Sequence, residues 1–358
     1  MSISEARSRL ASTVVVPTTS IADAVRHLEI AGTGALLVCD EQGRLRGLLT
    51  DGDIRRAILN SVPFTQACGT IAAADPVVAP VDVTPDAALR LMDTAREFVL
   101  NHLPLVDGAG VAVGLLLRSD LAPRAALSLS AVIMAGGFGT RLLPLTERTP
   151  KPMLPVGGRP LLERTIGQMK GAGIRRVVVS THFQAEQITR HLGDGAAHGV
   201  AISYLSEDRP LGTAGALRLL GEVTEPLLVI NGDILTGIRY DELLAFHREQ
   251  RAEVTVGVRQ CDLEVPYGVL ERTGARVRSL REKPHMEFLI NAGVYLVEPS
   301  AQREIPPDGR FDMTDLVQRL LDAGRVVACY PIVEYWLDIG RPADYVQAQA
   351  DVQIARIG

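Results

Sequence analysis

Six consecutive residues, Gly136-Gly137-Phe138-Gly139-Thr140-Arg141, have the types needed to hold a chain of phosphates. Glycines let backbone N–H groups turn inward and approach an anion closely, and Arg141 adds a fixed positive charge. Lys151, in a Lys-Pro pair, adds another. Two common phosphate loops are excluded by spacing. A P-loop would place its second glycine where Arg141 stands, and a dinucleotide fingerprint would place its third where Leu142 stands. Further along, Asp233 follows the apolar run Leu227–Ile230, and Asp338 precedes Ile339-Gly340. Two carboxylates at strand ends suit a Mg²⁺ held partly by substrate phosphates. Taken alone, Asp233 reads equally well as a turn residue or helix cap, and Lys151 can be a solvated lysine, whereas the place of Arg141 in the glycine loop favours triphosphate binding over a plain surface arginine. The histidines are dispersed, and no Ser-His-Asp or Cys-His constellation stands out.

These residues need a sheet to position them. Ala131 to Met134 reads as a buried strand that empties into the glycine loop, and a helical pattern opens after Pro160. Strand and helix patterns then alternate: Arg176 to His182 with Ala185 to Leu192, Ala201 to Leu205 with Thr213 to Leu220, Pro226 to Ile230 with Tyr240 to Glu249. That alternation predicts a doubly covered, mainly parallel α/β sheet, whose ligands bind beyond the carboxyl ends of the strands. After Ala252, strand-like runs at Val254–Val258, Gly268–Glu271 and Gly293–Val297 crowd together and predict an added mixed-strand region. A closing helix is expected from Pro342.

The first third repeats itself, at Val14–Ile54 and Val77–Leu121. Each copy has a helix started by Ser20 or Thr84, an apolar strand, an acidic-Gly turn, a strand beginning at Gly47 or Gly114, and an Asp (Asp53, Asp120) that opens a second helix. Two such β-α-β-β-α units would bury their sheets against each other.

The length of 358 residues fits two or three domains. A net charge of −5 and the lack of a basic tract argue against a nucleic-acid partner. The first residues, MSISEARSRL, lack the apolar core of a secretory signal, and no apolar run approaches bilayer length. Four scattered cysteines without a CxxC read as core residues in a reducing compartment. A cytoplasmic protein without a membrane partner is expected.

The string AVIMAGGFGTRLLPLTERTPKPMLPVGG, from Ala131, resembles the signature of the sugar-1-phosphate nucleotidyltransferases. The resemblance implies a Rossmann-like, GT-A-like transferase domain over 128–358. It assigns Ala135, Gly136, Gly137, Gly139, Thr140, Arg141, Glu207, Gly212 and Thr213 to the nucleotide, and Arg141, Lys151, Asp233 and Lys283 to catalysis. Asp233 and Asp338, in NGD and WLDIG contexts, would hold Mg²⁺. Tyr267-Gly268-Val269, Glu282-Lys283-Pro284 and Asn291-Ala292-Gly293 resemble the family's sugar side, so Gly268, Glu282, Lys283, Asn291 and Gly293 would meet the sugar phosphate. The implied reaction is in-line attack of a sugar-1-phosphate oxygen on the nucleotide's α-phosphorus. Glu207 stands in the base-reading loop where thymidine- and uridine-using relatives carry glutamine. A carboxylate accepts both adjacent donors of guanine, so GTP is favoured. Resemblance is closest to glucosamine- and mannose-1-phosphate guanylyltransferases; a thymidylyl- or uridylyltransferase of the same fold, or a non-catalytic nucleotide sensor, are the alternatives. The front repeats, over 1–125 (about 8–62 and 70–125), resemble a tandem pair of CBS domains with an α+β fold. The first keeps that family's hydroxyl and carboxylate at Thr50 and Asp53, which implies an adenine-nucleotide effector; the second has Leu117 in place of the hydroxyl. A dimerisation scaffold is the other reading, and a homo-oligomer is expected.

Overall fold

In the front third, the strand and turn signals of the two repeats produce two three-stranded sheets of the same order in the computed structural model. β1 (Val14–Val15) runs parallel to β2 (Ala35–Cys39), which pairs antiparallel with β3 (Leu45–Thr50). β4 (Ala79–Pro80), β5 (His102–Val106) and β6 (Ala112–Leu117) repeat the pattern. The structure describes residues 3–95, 99–122 and 126–353; the expected junction at residue 125 lies outside them. Helices Ile21–Ala31 and Pro85–Thr94 begin where Ser20 and Thr84 accept the amides of Asp23 and Ala87, satisfying donors that a helix start leaves open. Asp40 and Asp107 each accept two amides of their own turns. Leu37 and Leu48 of the first repeat share one apolar cluster with Ala112 and Leu115 of the second. The helix Ile3–Ser8 packs on the second repeat, where a Cβ on Gly114 would lie 2.9 Å from the Ala6 carbonyl oxygen.

The rear strands are β7 (Ser130–Met134), β8 (Pro155–Val156), β9 (Arg159–Pro160), β10 (Arg176–Thr181), β11 (Ala201–Ser206), β12 (Leu227–Asn231) and β13 (Ile234–Thr236). They continue as β14 (Val254–Glu264), β15 (Val269–Thr273), β16 (Arg276–Arg281), β17 (His285–Val297), β18 (Val327–Pro331) and β19 (Trp336–Asp338). Seven of them form one sheet in the order β11-β10-β7-β12-β17-β14-β18. β11, β10, β7 and β12 run parallel; β17 is antiparallel to both its neighbours, and β18 is parallel to β14. Side chains alternate across the sheet. Ala131 and Ile133 join the cluster covered by helices Leu161–Gly171, Ala185–Leu192 and Tyr240–Gln250, whereas Val132 joins the one covered by helix Met313–Asp322. The expected α/β class with helices on both faces is the observed one.

Two local expectations differ. The segment expected to be helical from Thr213 is a 3₁₀ helix over Gly215–Leu220. The amides of Ala214 and Gly215 both donate to the Phe311 carbonyl, at 3.1 and 2.7 Å, which anchors its start to another segment. The runs expected to form an added region are not separate: β17 and β14 continue the main sheet between β12 and β18, then extend beyond it as a two-stranded arm, and only β15 and β16 pair apart. Among the described residues no helix is long and apolar enough to cross a membrane.

Candidate active site

β7 delivers the chain into the glycine loop at its carboxyl end. Ala135 is buried and its amide donates to Ser180 O at 2.9 Å, so that N–H is already used within the protein. Beyond it the backbone makes close approaches that side chains would obstruct. Gly139 has φ +65°, and a Cβ there would lie 3.0 Å from Thr146 Cγ2 and 3.2 Å from Lys151 Cβ. Thr146 Oγ1 donates to Gly139 O at 2.7 Å, pinning the loop over Lys151. A 3₁₀ turn, Thr140–Leu142, then buries Leu142 and leaves Thr140 and Arg141 exposed.

The loop forms one wall of a cavity of about 380 Å³. Its lining includes Gly136, Gly137 and Phe138 of the loop, Lys151, Asn231, Gly232 and Asp233, and also Glu207, Gly212, Thr213, Arg310 and Asp312. Glu207 is held at both oxygens: Ser180 Oγ donates at 2.6 Å and Leu211 N at 2.9 Å. Its remaining lone pairs stay available to a ligand. Gly212 (φ +84°) lies so close to the chain before helix Met313–Asp322 that a Cβ would fall 2.5 Å from Phe311 O. Thr213 N donates to Asp312 Oδ1 at 3.0 Å, and Met313 N donates back to Thr213 Oγ1 at 2.9 Å.

The two aspartates meet where Asp233 lines this cavity. β13 pairs antiparallel with β19, opposing Ile234 to Asp338, and Ile339 N donates to Asp233 O at 3.1 Å. The Lys151 ammonium pairs with Asp233. Arg141 reaches the same place, since a Cβ on Gly340 would be 3.6 Å from both Arg141 Nη1 and Asp338 Oδ1. Burial, followed by the charge of Asp233, raises the Asp338 carboxyl above the usual range, while Lys151 and Arg141 oppose the rise. Asp338 Oδ1 is buried without a hydrogen-bond donor. An all-oxygen pair with an unsatisfied buried acceptor fits a hard divalent cation.

The expected sugar-side residues divide into two groups. Gly293 (φ +70°) abuts the cavity, because a Cβ there would lie 2.6 Å from Asn231 Nδ2. Asn291 accepts the Gly293 amide at 3.0 Å and donates to Tyr295 OH at 2.8 Å. Gly268, Glu282 and Lys283 are exposed beside the arm, and none of them lines the cavity. A Cβ on Gly268 would lie 2.9 Å from Glu282 Oε2, so those two are neighbours. Sequence reasoning missed Asn231, Arg310 and Asp312 as lining residues. Asn231 Oδ1 is buried without a donor, and its position directly ahead of Gly232-Asp233 was the available signal. For Asp312 the signal was the capping spacing Asp312-x-x-Asp315, which marks a helix start but not what lies beside it.

In the front module, Thr50 and Asp53 form a reciprocal capping box on helix Asp51–Leu59. Thr50 N and Oγ1 both donate to Asp53 Oδ2, at 2.8 and 2.6 Å. The matching Asp120 accepts Leu117 N at 3.0 Å, and the Arg9 guanidinium forks onto its carboxylate. Asp120 is thus covered by an arginine from the N-terminal segment, whereas Asp53 is paired with Arg56 of its own helix, whose side chain is 68% exposed.

Residues 130–354 match the nucleotidyl transferase family, and residues 8–60 and 68–125 match the CBS domain. A mannose-1-phosphate guanylyltransferase of Mycobacterium tuberculosis is 36% identical over 231 residues, which cover 62% of this chain and 64% of that protein. Mannose-1-phosphate guanylyltransferase 1 of Arabidopsis thaliana is 33% identical over 228 residues, covering 61% of this chain and 63% of that protein. The chain therefore spans less than two thirds of the length of these relatives. Among solved structures, HddC from Yersinia pseudotuberculosis complexed with GMP-PN superposes with a TM-score of 0.51 and 25% identity, over 63% of this chain and all of that one. The glycine loop, the paired aspartates and the sheet that carries them thus lie in the matched segment, and the chain belongs to the nucleotidyl transferase family, with a tandem CBS pair ahead of its transferase unit.

Proposed function

We propose that the rear unit (128–358) transfers a nucleotidyl group from a nucleoside triphosphate, GTP in preference, to a sugar 1-phosphate, releasing pyrophosphate. Mannose 1-phosphate is the first sugar to test, because the matched relatives are named for it. The observation that carries the reading is a single cavity lined by Gly136, Gly137, Lys151, Glu207 and Asp233 at the carboxyl ends of β7 and β12. Backbone amides of Gly136 and Gly137 would receive phosphate oxygens. Lys151 and Arg141 would offset the charge that grows as pyrophosphate leaves, and Lys283 would hold the sugar's phosphate. Asp233 and Asp338 would hold Mg²⁺, which when bound supplies charge neutralisation at the α-phosphate. A sugar-1-phosphate oxygen attacks the α-phosphorus, the bond to the β-phosphate's bridging oxygen breaks, and pyrophosphate takes the electron pair. No protein nucleophile is needed; the side chains position and neutralise. We assign the front module (1–125) a regulatory part, with an adenine nucleotide at Thr50 and Asp53 of the first repeat as the effector to test by calorimetry.

Incubation with GTP, Mg²⁺ and mannose 1-phosphate is expected to yield GDP-mannose and pyrophosphate one for one, and a chelator is expected to stop it. GTP consumption that is independent of every sugar 1-phosphate offered would contradict the proposal.

A further inference from the structure

A short segment of the rear unit, ending at the proposed cation ligand Asp338, reaches into the front module. Residues 332–335 connect β18 to β19, and Asp338 closes β19. Ile332 packs in the rear core, but its neighbour Val333, 6% exposed, inserts into the core of the first front repeat beside Ile21, Leu36 and Ile54. One residue of the transferase segment is thus a peg in the front module.

Arg55 fastens the peg. It is 5% exposed and projects from helix Asp51–Leu59, one turn after the Thr50–Asp53 cap. Its Nε donates to Pro331 O at 3.2 Å, Nη1 to Glu242 at 2.6 Å and Nη2 to Glu334 at 2.7 Å. Glu334 also accepts the amides of Arg239 (3.3 Å) and Val333 (3.1 Å). From the rear side, Arg259 holds the carbonyls of Ile332 and Glu334, at 2.8 and 2.9 Å. The carboxylates of Asp51, Glu242 and Glu334 approach within 4.8 Å of one another. Burial, with Glu334 beside it, pushes the Asp51 carboxyl up to about 7. In this cluster the Arg55 guanidinium bridges two carboxylates, Glu242 and Glu334, with Arg239 pairing with Glu242 from the other side, so the cations the carboxylates need are supplied by the chain itself.

We propose that Arg55 is a positioning residue for nucleotidyl transfer: acting through Glu334 and the Val333 peg, it sets the seat of Asp338, so that the state of the front module is felt at the cation site. The route is short. A ligand engaging Thr50 or Asp53 would disturb the cap of the helix that carries Arg55, and Arg55 grips the segment four residues ahead of Asp338. As regards the reaction, this rests on the function proposed above.

The chain carries its own reporter. Trp336 is its single tryptophan, lies two residues before Asp338, and donates Nε1–H to Ala292 O at 2.8 Å. The test uses the full chain with Arg55→Met, Arg55→Lys and Val333→Ala, each checked for a cooperative melt. Two quantities are measured: acrylamide quenching of Trp336 without substrates, and the Mg²⁺ concentration giving half-maximal rate, separately from kcat. Arg55→Met is expected to raise half-saturating Mg²⁺ about tenfold, in the range by which residues supporting metal ligands act, and to make Trp336 more quenchable. Val333→Ala is expected to move both in the same direction, and Arg55→Lys to fall between wild type and Arg55→Met. Loss of stability alone would not move the Mg²⁺ dependence. If the folded variants keep the wild-type Mg²⁺ dependence and Trp336 quenching, the proposal is overturned; should Arg55→Met fail to fold, Val333→Ala and Arg55→Lys decide it. A wild-type protein inactive in transfer would defeat the proposed function, while Trp336 quenching would still decide whether Arg55 sets this segment.

Discussion

The nucleotide end and the sugar end of the transferase unit are built differently. At the nucleotide end Gly136, Gly137, Lys151, Glu207, Gly212, Thr213 and Asp233 line one cavity, while Ala135, Gly139, Thr140 and Arg141 lie outside its lining; several are locked by the protein itself: Glu207 at both oxygens, Thr213 against Asp312, Lys151 against Asp233. At the sugar end Gly268, Glu282 and Lys283 stand in solvent beside an arm whose neighbours include Tyr267, 74% exposed, and Leu280, 63% exposed. A site whose side chains bond one another couples chemistry to folding, since each of those side chains also satisfies other groups. An exposed arm separates the two. Substitutions in the cavity should therefore act on kcat or stability, and substitutions on the arm on the KM for the sugar phosphate alone.

The largest effect is expected from Asp233→Asn. Removing this charge should lower kcat on the order of a thousandfold, with a far-UV spectrum like wild type; retained pyrophosphate release would remove Asp233 from the reaction. Next is Gly212→Val, which forces a β-branched residue to φ +84° with its Cβ 2.5 Å from Phe311 O. Urea unfolding should report a loss of about 2–3 kcal/mol, and an unchanged midpoint would mean that the loop is not held as described. On the arm, Lys283→Ala should raise the KM for the sugar phosphate about tenfold to a hundredfold, the worth of one charge-assisted hydrogen bond, with no change in melting temperature. A change in GTP affinity instead would erase the contrast between the two ends. The smallest effect is expected from Glu207→Gln. Glutamine offers one acceptor oxygen where the carboxylate has two, so the preference for GTP over UTP should fall about fivefold in paired kcat/KM measurements.

Legibility in the sequence followed the same division. Where chemistry sat on local pattern, expectation and structure agree closely: the strand before Gly136, the helix Ala185–Leu192, the caps at Ser20 and Thr84 and the repeat of the front module. Where position depends on distant segments, the pattern was silent. Arg310 and Asp312 reach the cavity from roughly a hundred residues beyond Gly212, and nothing in their own neighbourhood signals it. The 3₁₀ turn after Ala214 is anchored at Phe311, again a distant partner. The first half of β17 is exposed on the arm although Met286, Phe288 and Ile290 recur at every second position; only the continuous apolar run ending at Val297 reads as a strand in the sequence. The Arg9 cover on Asp120 and the Val333 peg are tertiary events of the same kind.

The most direct test of the central claim is a crystal structure with GTP and Mg²⁺ bound. The phosphates are expected over Gly136–Arg141, the ion between Asp233 and Asp338, and the guanine edge facing Glu207. A nucleotide found only in the front module, with the cavity beside β7 empty at saturating GTP, would contradict it.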